Sequence, residues 1–333
     1  MRQPIFVWSL SLIDMNDGTP RGGTELILQR LQAALPELTS QVQFVMSRPE
    51  MYELDPEKPR ILWLQDLPQD PAIQCLRDPS YHTRFNFIVF ASHWQQQQFN
   101  QVLGFPFSNG IVIKNGVNRL VPTLPKPLFE DKVRFIYTST PHRGLTILAA
   151  AAEELAKHRQ DWELHVYSSL NIYGRVDEYK NFEALYEQLR RNPCVTYHGS
   201  QPNDVVRQAV LDAHIFIYPN VYQETSCMAI QEAMMAGCLA ITTPYGALIE
   251  TCGEWAFMMP NSESLENLAG STYQYMLQFI DIYKNDPAIP QVLRMQSDYF
   301  QNFYSFERRI PLWEQLLRKA IEDGPPVEQL VIQ

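Results

Sequence analysis

Two glutamates, Glu224 and Glu232, stand in an otherwise small and apolar run, YQETSCMAIQEAMMAGCLAITTPYG over residues 222–246. An unpaired charge in an apolar interior is costly, so each carboxylate needs a cation, a donor or water. The run reads as a loop, a buried helix, a glycine turn and a buried strand. Glu224 then falls in a strand-to-helix loop after HIFIYPN, with Glu232 about two turns up the helix, roughly 12 Å of rise away. The helix start near Thr225-Ser226-Cys227-Met228 offers unpaired N–H groups and the positive end of the dipole, a combination that binds phosphate. Acids on either side of such a site suit the hydroxyls of two groups flanking a diphosphate, a sugar and a ribose. The same spacing also fits Glu224 as a helix cap and Glu232 as the partner of an arginine.

The elements around this run alternate strand and helix. PIFVWSLSLI (4–13) reads as a first buried strand, leading through a Gly-rich loop to a helix from about Thr24. VQFVMS, RILWLQD, NFIVFAS and IVIKNGV continue as strands. LVPTLPKPLFEDK (120–132), rich in proline and charge, reads as a linker. After it the pattern restarts with VRFIYTS, LTILAAAAEELAKH, WELHVYSS, NFEALYEQLRR, CVTYHGS, VVRQAVLDA, HIFIYPN and LAITTP. Residues 265–333 read as helical. Strands alternating with helices predict an α/β protein with parallel sheets covered on both faces. Two such halves, 1–122 and 123–304, predict two Rossmann-like domains facing across a cleft, with ligands at the carboxyl ends of the strands.

Composition narrows the function. With 333 residues, 45% hydrophobic and 19% charged, the chain has a packed core rather than disorder. A net charge of −10 without a basic run argues against a nucleic-acid binder that grips phosphates. Five cysteines with no zinc-type spacing read as free thiols in a reducing cytoplasm. Residues 4–13 imitate a signal peptide but lack a small-residue cleavage site. No apolar stretch is long enough to span a bilayer. Residues 1–122 carry ten Lys/Arg against eleven Asp/Glu, without the basic amphipathic face that anionic membranes attract. A soluble cytoplasmic enzyme with no integral membrane segment is expected.

The linked pattern of E-x7-E, QEAMMAG and ITTPYGALIE resembles glycosyltransferase family 4, retaining enzymes of the GT-B fold that use nucleotide sugars. The resemblance covers nearly the whole chain. Gly22-Gly23-Thr24-Glu25 is similar to the family's Gly-Gly loop, Ile113–Asn118 to its PNGVD element, and YSFERRIPLWEQL (304–316) to the carboxyl-terminal helix that crosses back to the first domain. That helix, about 305–333, would therefore belong with residues 1–122. The resemblance implies that Glu232 holds the ribose and Glu224 the donor-sugar hydroxyls. Backbone N–H groups of Ser226, Cys227 and Met228 would take the diphosphate, and Gly22 and Gly23 would let the first domain's backbone approach it. Arg143, in STPHRGL, matches the lysine of the family's KG pair and would neutralise the leaving diphosphate. Recognition of the base, of UDP or GDP type, would rest on the loop around His198 and Gly199.

Two departures stand out. Thr138-Ser139 occupies the place of a Gly-Arg pair that gives the family a second cation. Trp63-Leu64-Gln65-Asp66 stands where the family has a histidine. Either helix and backbone donors carry more of the leaving-group charge, or catalysis is weak or lost. Asp66 would accept from the acceptor hydroxyl, or act as a surface or capping aspartate. The chain has no D-x-D to hold a metal and no lysine placed for a pyridoxal cofactor, so neither metal nor resident cofactor is expected. The expected activity is transfer of a sugar from a nucleoside-diphosphate sugar to a hydroxyl of a glycan or other glycoconjugate, as in polysaccharide biosynthesis. The alternatives are a non-catalytic GT-B protein that binds a sugar nucleotide or a partner chain, or an epimerase or phosphorylase of the same fold.

Overall fold

The computed structural model describes residues 22–170 and 180–326. The expected strand at 4–13, most of the Gly-rich loop and the last residues of the carboxyl-terminal segment lie outside the described residues. The chain divides into two compact units, residues 23–116 with 306–326 and residues 117–305.

In the first unit, β1 (Gln43–Met46), β2 (Arg60–Leu64), β3 (Phe87–Phe90) and β4 (Ile111–Val112) pair in parallel in that order. Every residue of β2 is buried, as its unbroken RILWL run requires of a strand covered on both faces. One face packs Leu62, Leu64 and Phe90 against Phe99 and Phe105, with Phe90 edge-on to both rings at 5.1 and 5.4 Å. The helix Ile310–Asp323 joins this unit, and its Trp313 meets Trp63 of β2 at 4.3 Å between ring centroids. The helix expected from about Thr24 opens at Gly23.

The second unit holds a six-stranded parallel sheet, in the order β10-β9-β8-β5-β6-β7. Its strands are β5 (Val133–Tyr137), β6 (Trp162–Val166), β7 (Val195–Tyr197), β8 (Ile215–Tyr218), β9 (Leu239–Thr242) and β10 (Phe257–Met258). The IFIY and LAIT runs of β8 and β9 are buried throughout, whereas β6 alternates, burying Trp162, Leu164 and Val166 and half-exposing Glu163 and His165. The sheet grows outward from β5 in both directions, through β6 to β7 on one side and through β8 to β10 on the other. The order therefore reverses between β5 and β8, which pair at Phe135–Ile215 and Ile136–Phe216. At such a reversal adjacent loops diverge to opposite faces and leave a crevice at the carboxyl ends of the strands.

The segment 120–132 is no free linker. It is packed onto the second unit, because the Lys126 ammonium is buried against the end of the Asn203–Asp212 helix. It donates to the carbonyls of Val210 at 3.3 Å and Ala213 at 2.5 Å, the acceptors a helix leaves without intrahelical donors. The chain instead passes between units at Gly116–Val117 and returns at Ser305–Phe306. Val117 N–H donates to the Tyr304 carbonyl at 2.9 Å.

His214, just ahead of β8, predicts how this unit responds to acid. The Arg134 N–H donates to its Nδ1 at 2.7 Å, so the ring proton sits on Nε2 and faces the Pro127 carbonyl at 3.2 Å. Protonating Nδ1 would set N–H against N–H. Burial accordingly pushes its pKa down to about 4, against about 6.5 in an unfolded chain. Between these values the unfolded state binds more protons, so stability should fall as pH drops from about 6.5 to about 4 and level off below. The loss is on the order of 3 kcal/mol. Urea denaturation across that range should show a shallower pH slope in His214→Gln; equal slopes would remove His214 as the cause.

Candidate active site

Three loops at the carboxyl edge of the second sheet are brought together by their backbones. The loop after β5 ends in a short turn, Pro141–Arg143, and Gly144 at φ 110° before the Leu145–Ala156 helix. A Cβ on Gly144 would lie 2.0 Å from the Pro219 carbonyl oxygen, so only glycine lets the β5 and β8 loops approach this closely. A Cβ on Gly246, after β9, would come within 2.4 Å of the Glu224 nitrogen. Glu224 and Gly246 form an isolated parallel bridge, and Ala247 N–H donates to the Glu224 carbonyl at 2.7 Å. The threonines of LAITTP complete the join: Thr242 Oγ1 donates to the Tyr218 carbonyl at 2.9 Å, and Thr243 Oγ1 to the Asn220 carbonyl at 2.6 Å. Asn220 in turn accepts from Tyr222 N–H at 2.9 Å.

This frame sets Arg143 and Glu224 against each other across the reversal between β5 and β8. Glu224 is only 3% exposed. Its Oε1 accepts from Arg143 Nη1 at 2.7 Å and from the Tyr218 hydroxyl at 2.5 Å. The guanidinium also lies over the Tyr222 ring, 4.5 Å from its centroid. Burial first, and then the Glu224 charge, hold the Tyr218 phenol far above its ordinary pKa. Tyr218 is thus a neutral donor to the carboxylate, charge-assisted and correspondingly strong. Tyr137, likewise raised by burial, donates to the Thr140 carbonyl at 2.8 Å and shapes the turn that carries Arg143. The strand pattern puts Arg143 and Glu224 in these loops, whereas Tyr218, the last residue of β8, is not legible from sequence as a site residue. Aromatics at the end of an apolar strand read as core, and only their place at a strand's carboxyl end hints otherwise.

The helix after Glu224 opens at Met228 and runs to Met235. Cys227 is its N-cap, and no side chain caps its first turn. Ser226 and Cys227 immediately precede this helix and Met228 is its first residue, the end of a helix where backbone N–H groups lack intrahelical acceptors. Glu232 is the fifth residue of this helix and half-buried, one turn from its start rather than two.

His198 stands at the carboxyl end of β7, two strands from Arg143. Its ring stacks flat on Tyr167, at 4.3 Å and 3° between planes, and its Nε2 is hydrogen-bonded to Nδ1 of His165 at 2.9 Å. Burial lowers both histidines, with the Arg134 charge adding to it at His165, so the pair is held neutral. Gly199 follows at φ 67°. Tyr167, also missed in the sequence, makes this an aromatic shelf. Gly23 opens the Gly23–Ala34 helix of the first unit, and Gly22 is the residue before it. Asp66 follows β2, paired with Arg48 at 3.2 Å, which also reaches Asp70 at 3.4 Å. Among the described residues no group of three or more His, Cys, Asp or Glu is arranged to hold a metal ion. No described helix is long and apolar enough to cross a membrane.

What this arrangement offers is a fixed cation, an acid locked to it, and a helix start, all at one switch point. Residues 132–275 match the family model of glycosyl transferases group 1. The group 1 segment contains Arg143, His198, Glu224 and Glu232, and every loop that builds the crevice. A search of curated proteins finds no sequence match. Solved structures are similar in fold. A sucrose-phosphate synthase from Thermosynechococcus elongatus is 16% identical, covering 90% of this chain and 79% of that one, with a TM-score of 0.60. A glycosyltransferase from Rickettsia africae is 15% identical over 93% and 85%, TM-score 0.61. HepE of Anabaena, solved in complex with UDP-glucose, is 17% identical over 80% and 72%, TM-score 0.60. The chain thus has the α/β architecture of GT-B glycosyltransferases, built from Rossmann-like parallel sheets.

Proposed function

We propose that the protein is a retaining glycosyltransferase that moves a hexose from a nucleoside-diphosphate sugar to a hydroxyl of a glycan or other glycoconjugate. The observation that carries this is the meeting of Arg143 and Glu224 at the β5–β8 switch point, beside an uncapped helix start, within the group 1 segment. In this reading the diphosphate lies on the amides of Ser226 to Met228, with Arg143 at its leaving oxygen. Glu232 takes the ribose hydroxyls, and the shelf of Tyr167 and His198, with Gly199, takes the base. Arg143 and Tyr218 both address Oε1 of Glu224, which leaves Oε2 as the oxygen for a donor-sugar hydroxyl.

The chemistry follows from where charge develops. The anomeric C–O bond to phosphate breaks through an oxocarbenium-like transition state, and its electron pair goes to the phosphate. The acceptor oxygen bonds the anomeric carbon on the face the phosphate leaves, and its proton passes to the departing phosphate oxygen. Donors fixed in advance around that phosphate stabilise the transition state more than the ground state. The chain supplies them from a glycine-locked loop and a helix start, and needs no metal for this step. HepE, crystallised with UDP-glucose, is one reason to begin with uridine donors.

Thermal melting with millimolar UDP, GDP, ADP and CMP tests the donor site. A ligand at 100 times its Kd adds about 2.7 kcal/mol. One nucleoside diphosphate should raise the melting temperature, and Glu232→Ala should abolish the shift. No shift with any of the four would reject the donor site. A second reading, a non-catalytic protein that binds the nucleotide, has one feature in its favour: Arg143 is already neutralised by Glu224, and Thr138 and Ser139 bring no further cation. A shift without turnover of any sugar donor would select it.

A further inference from the structure

The polar residues of β6 stand in a row that ends at the aromatic shelf. Glu163 and His165 alternate with the buried Trp162, Leu164 and Val166, and Tyr167 comes next in that alternation. Arg134, the partner of Glu163 in the β5–β6 ladder, donates its Nε to Glu163 Oε1 at 2.5 Å. The same carboxylate oxygen lies 3.6 Å from Nε2 of His165, whose Nδ1 is 2.9 Å from Nε2 of His198. Which nitrogen of a neutral imidazole bears the proton is set by what the other nitrogen faces. A carboxylate only accepts, so Glu163 favours the proton on Nε2 of His165. Nδ1 of His165 is then a lone pair, and the proton between the two rings belongs to Nε2 of His198. His198 is left with a bare Nδ1, which has no hydrogen-bond partner among the described residues. Two hydroxyls beside the shelf lack partners as well. The oxygens of Ser168, 2% exposed, and Ser200 are buried without a hydrogen bond among the described residues. Ser168 follows Tyr167 and Ser200 follows Gly199, both just past the carboxyl ends of their strands.

From this geometry we infer that His198 reads the base of the nucleotide: its bare Nδ1 accepts from a ring N–H, and Glu163 and His165 are positioning residues that fix its tautomer. The inference rests on the nucleotide-sugar reading and narrows it. Uracil and guanine carry a proton on the ring nitrogen of their pairing edge, whereas cytosine and adenine have a lone pair there. Against the bare Nδ1 that lone pair sets acceptor against acceptor, and a polar group left unpaired in a binding site rejects the analogue. Moving the His198 proton to Nδ1 would also reverse the tautomer of His165 and turn a lone pair toward the Glu163 carboxylate. Burial holds both rings neutral, so the relay passes a tautomer and no net charge.

Long-range proton–nitrogen correlation spectra of protein labelled in its histidine rings read the tautomers directly. Both His165 and His198 should carry the proton on Nε2; a proton on Nδ1 of His198 would overturn the inference. Calorimetric titration with UDP, GDP, CDP and ADP reads the consequence. UDP or GDP should bind at least about tenfold more tightly than CDP and ADP. His165→Phe keeps a ring in the stack and removes the relay. It should lose that preference, and His198 should then show both tautomers. The wild-type spectrum and the ranking of bases test the inference without any variant. CDP or ADP bound as tightly as the better of UDP and GDP, or a preference that His165→Phe retains, would overturn the inference and leave the donor site standing. No binding of any of the four would overturn both.

Discussion

Arg143→Ala should lower turnover by about 10²–10³-fold, the usual cost of removing one preorganised donor from a developing oxyanion. It should also destabilise the protein, because Glu224 keeps its buried position and loses its cation. Breaking such a pair from one side costs about 3–5 kcal/mol. The exposed edge of Arg143, whose side chain is 24% accessible, and the surviving Tyr218 hydrogen bond place the expected loss near the lower figure. The two effects separate in the double variant Arg143→Met, Glu224→Gln. With both charges gone no unpaired carboxylate remains, so stability should largely return, while turnover should stay low. Urea denaturation and donor consumption on the same three proteins make the comparison. A single Arg143→Ala variant that keeps turnover within about twofold would remove Arg143 from the leaving-group site, and a double variant that regains turnover would make the pair purely structural.

Which parts of this site were legible in the sequence follows from how each residue is held. Arg143 and Glu224 fall in the loops expected of them because VRFIY, apolar but for Arg134, and the unbroken IFIY read as buried strands, and the residues after such strands fall at the carboxyl edge of a parallel sheet. Their contact was not legible, since it depends on β5 and β8 being neighbours, and strand order is set by crossovers rather than local pattern. Tyr218 shows the same limit: within IFIY it reads as core, and its ring is buried, yet its hydroxyl completes the coordination of Glu224. The proline-rich segment 120–132 reads as a linker from composition alone. Lys126 makes it part of the body by finding carbonyls more than eighty residues away. The helix starts at Met228, the last residue of the expected Thr225–Met228 stretch, after a segment tied to the β9 loop by the bridge of Glu224 to Gly246 and the bond of Ala247 to the Glu224 carbonyl. Long periodic segments were the easiest to read, and 265–323 folds as the helices Leu265–Asn285, Ile289–Phe303 and Ile310–Asp323.

The same substitution at three glycines should have three different outcomes, the largest at Gly144. Gly144→Ala places a Cβ 2.0 Å from the Pro219 oxygen and 2.9 Å from its carbonyl carbon, at φ 110°. The backbone strain alone is about 1–3 kcal/mol, and the clash is with main chain, which no rotamer change relieves. The loops after β5 and β8 must separate, and Arg143, the residue before, moves with the first of them while Glu224 stays with the second. Gly144→Ala should therefore lose more than about 3 kcal/mol and take donor binding with it. Gly104→Ala isolates the dihedral term: φ is 72° at a helix end with nothing within 4 Å, so about 1 kcal/mol should be lost. Gly270→Ala, inside the Leu265–Asn285 helix with nothing within 4 Å, should gain about 0.5–1 kcal/mol. Urea denaturation ranks the three. If Gly144→Ala costs no more than Gly104→Ala and still binds nucleotide, the β5 and β8 loops are not locked together at Pro219, and the fixed placement of Arg143 against Glu224 has lost its cause.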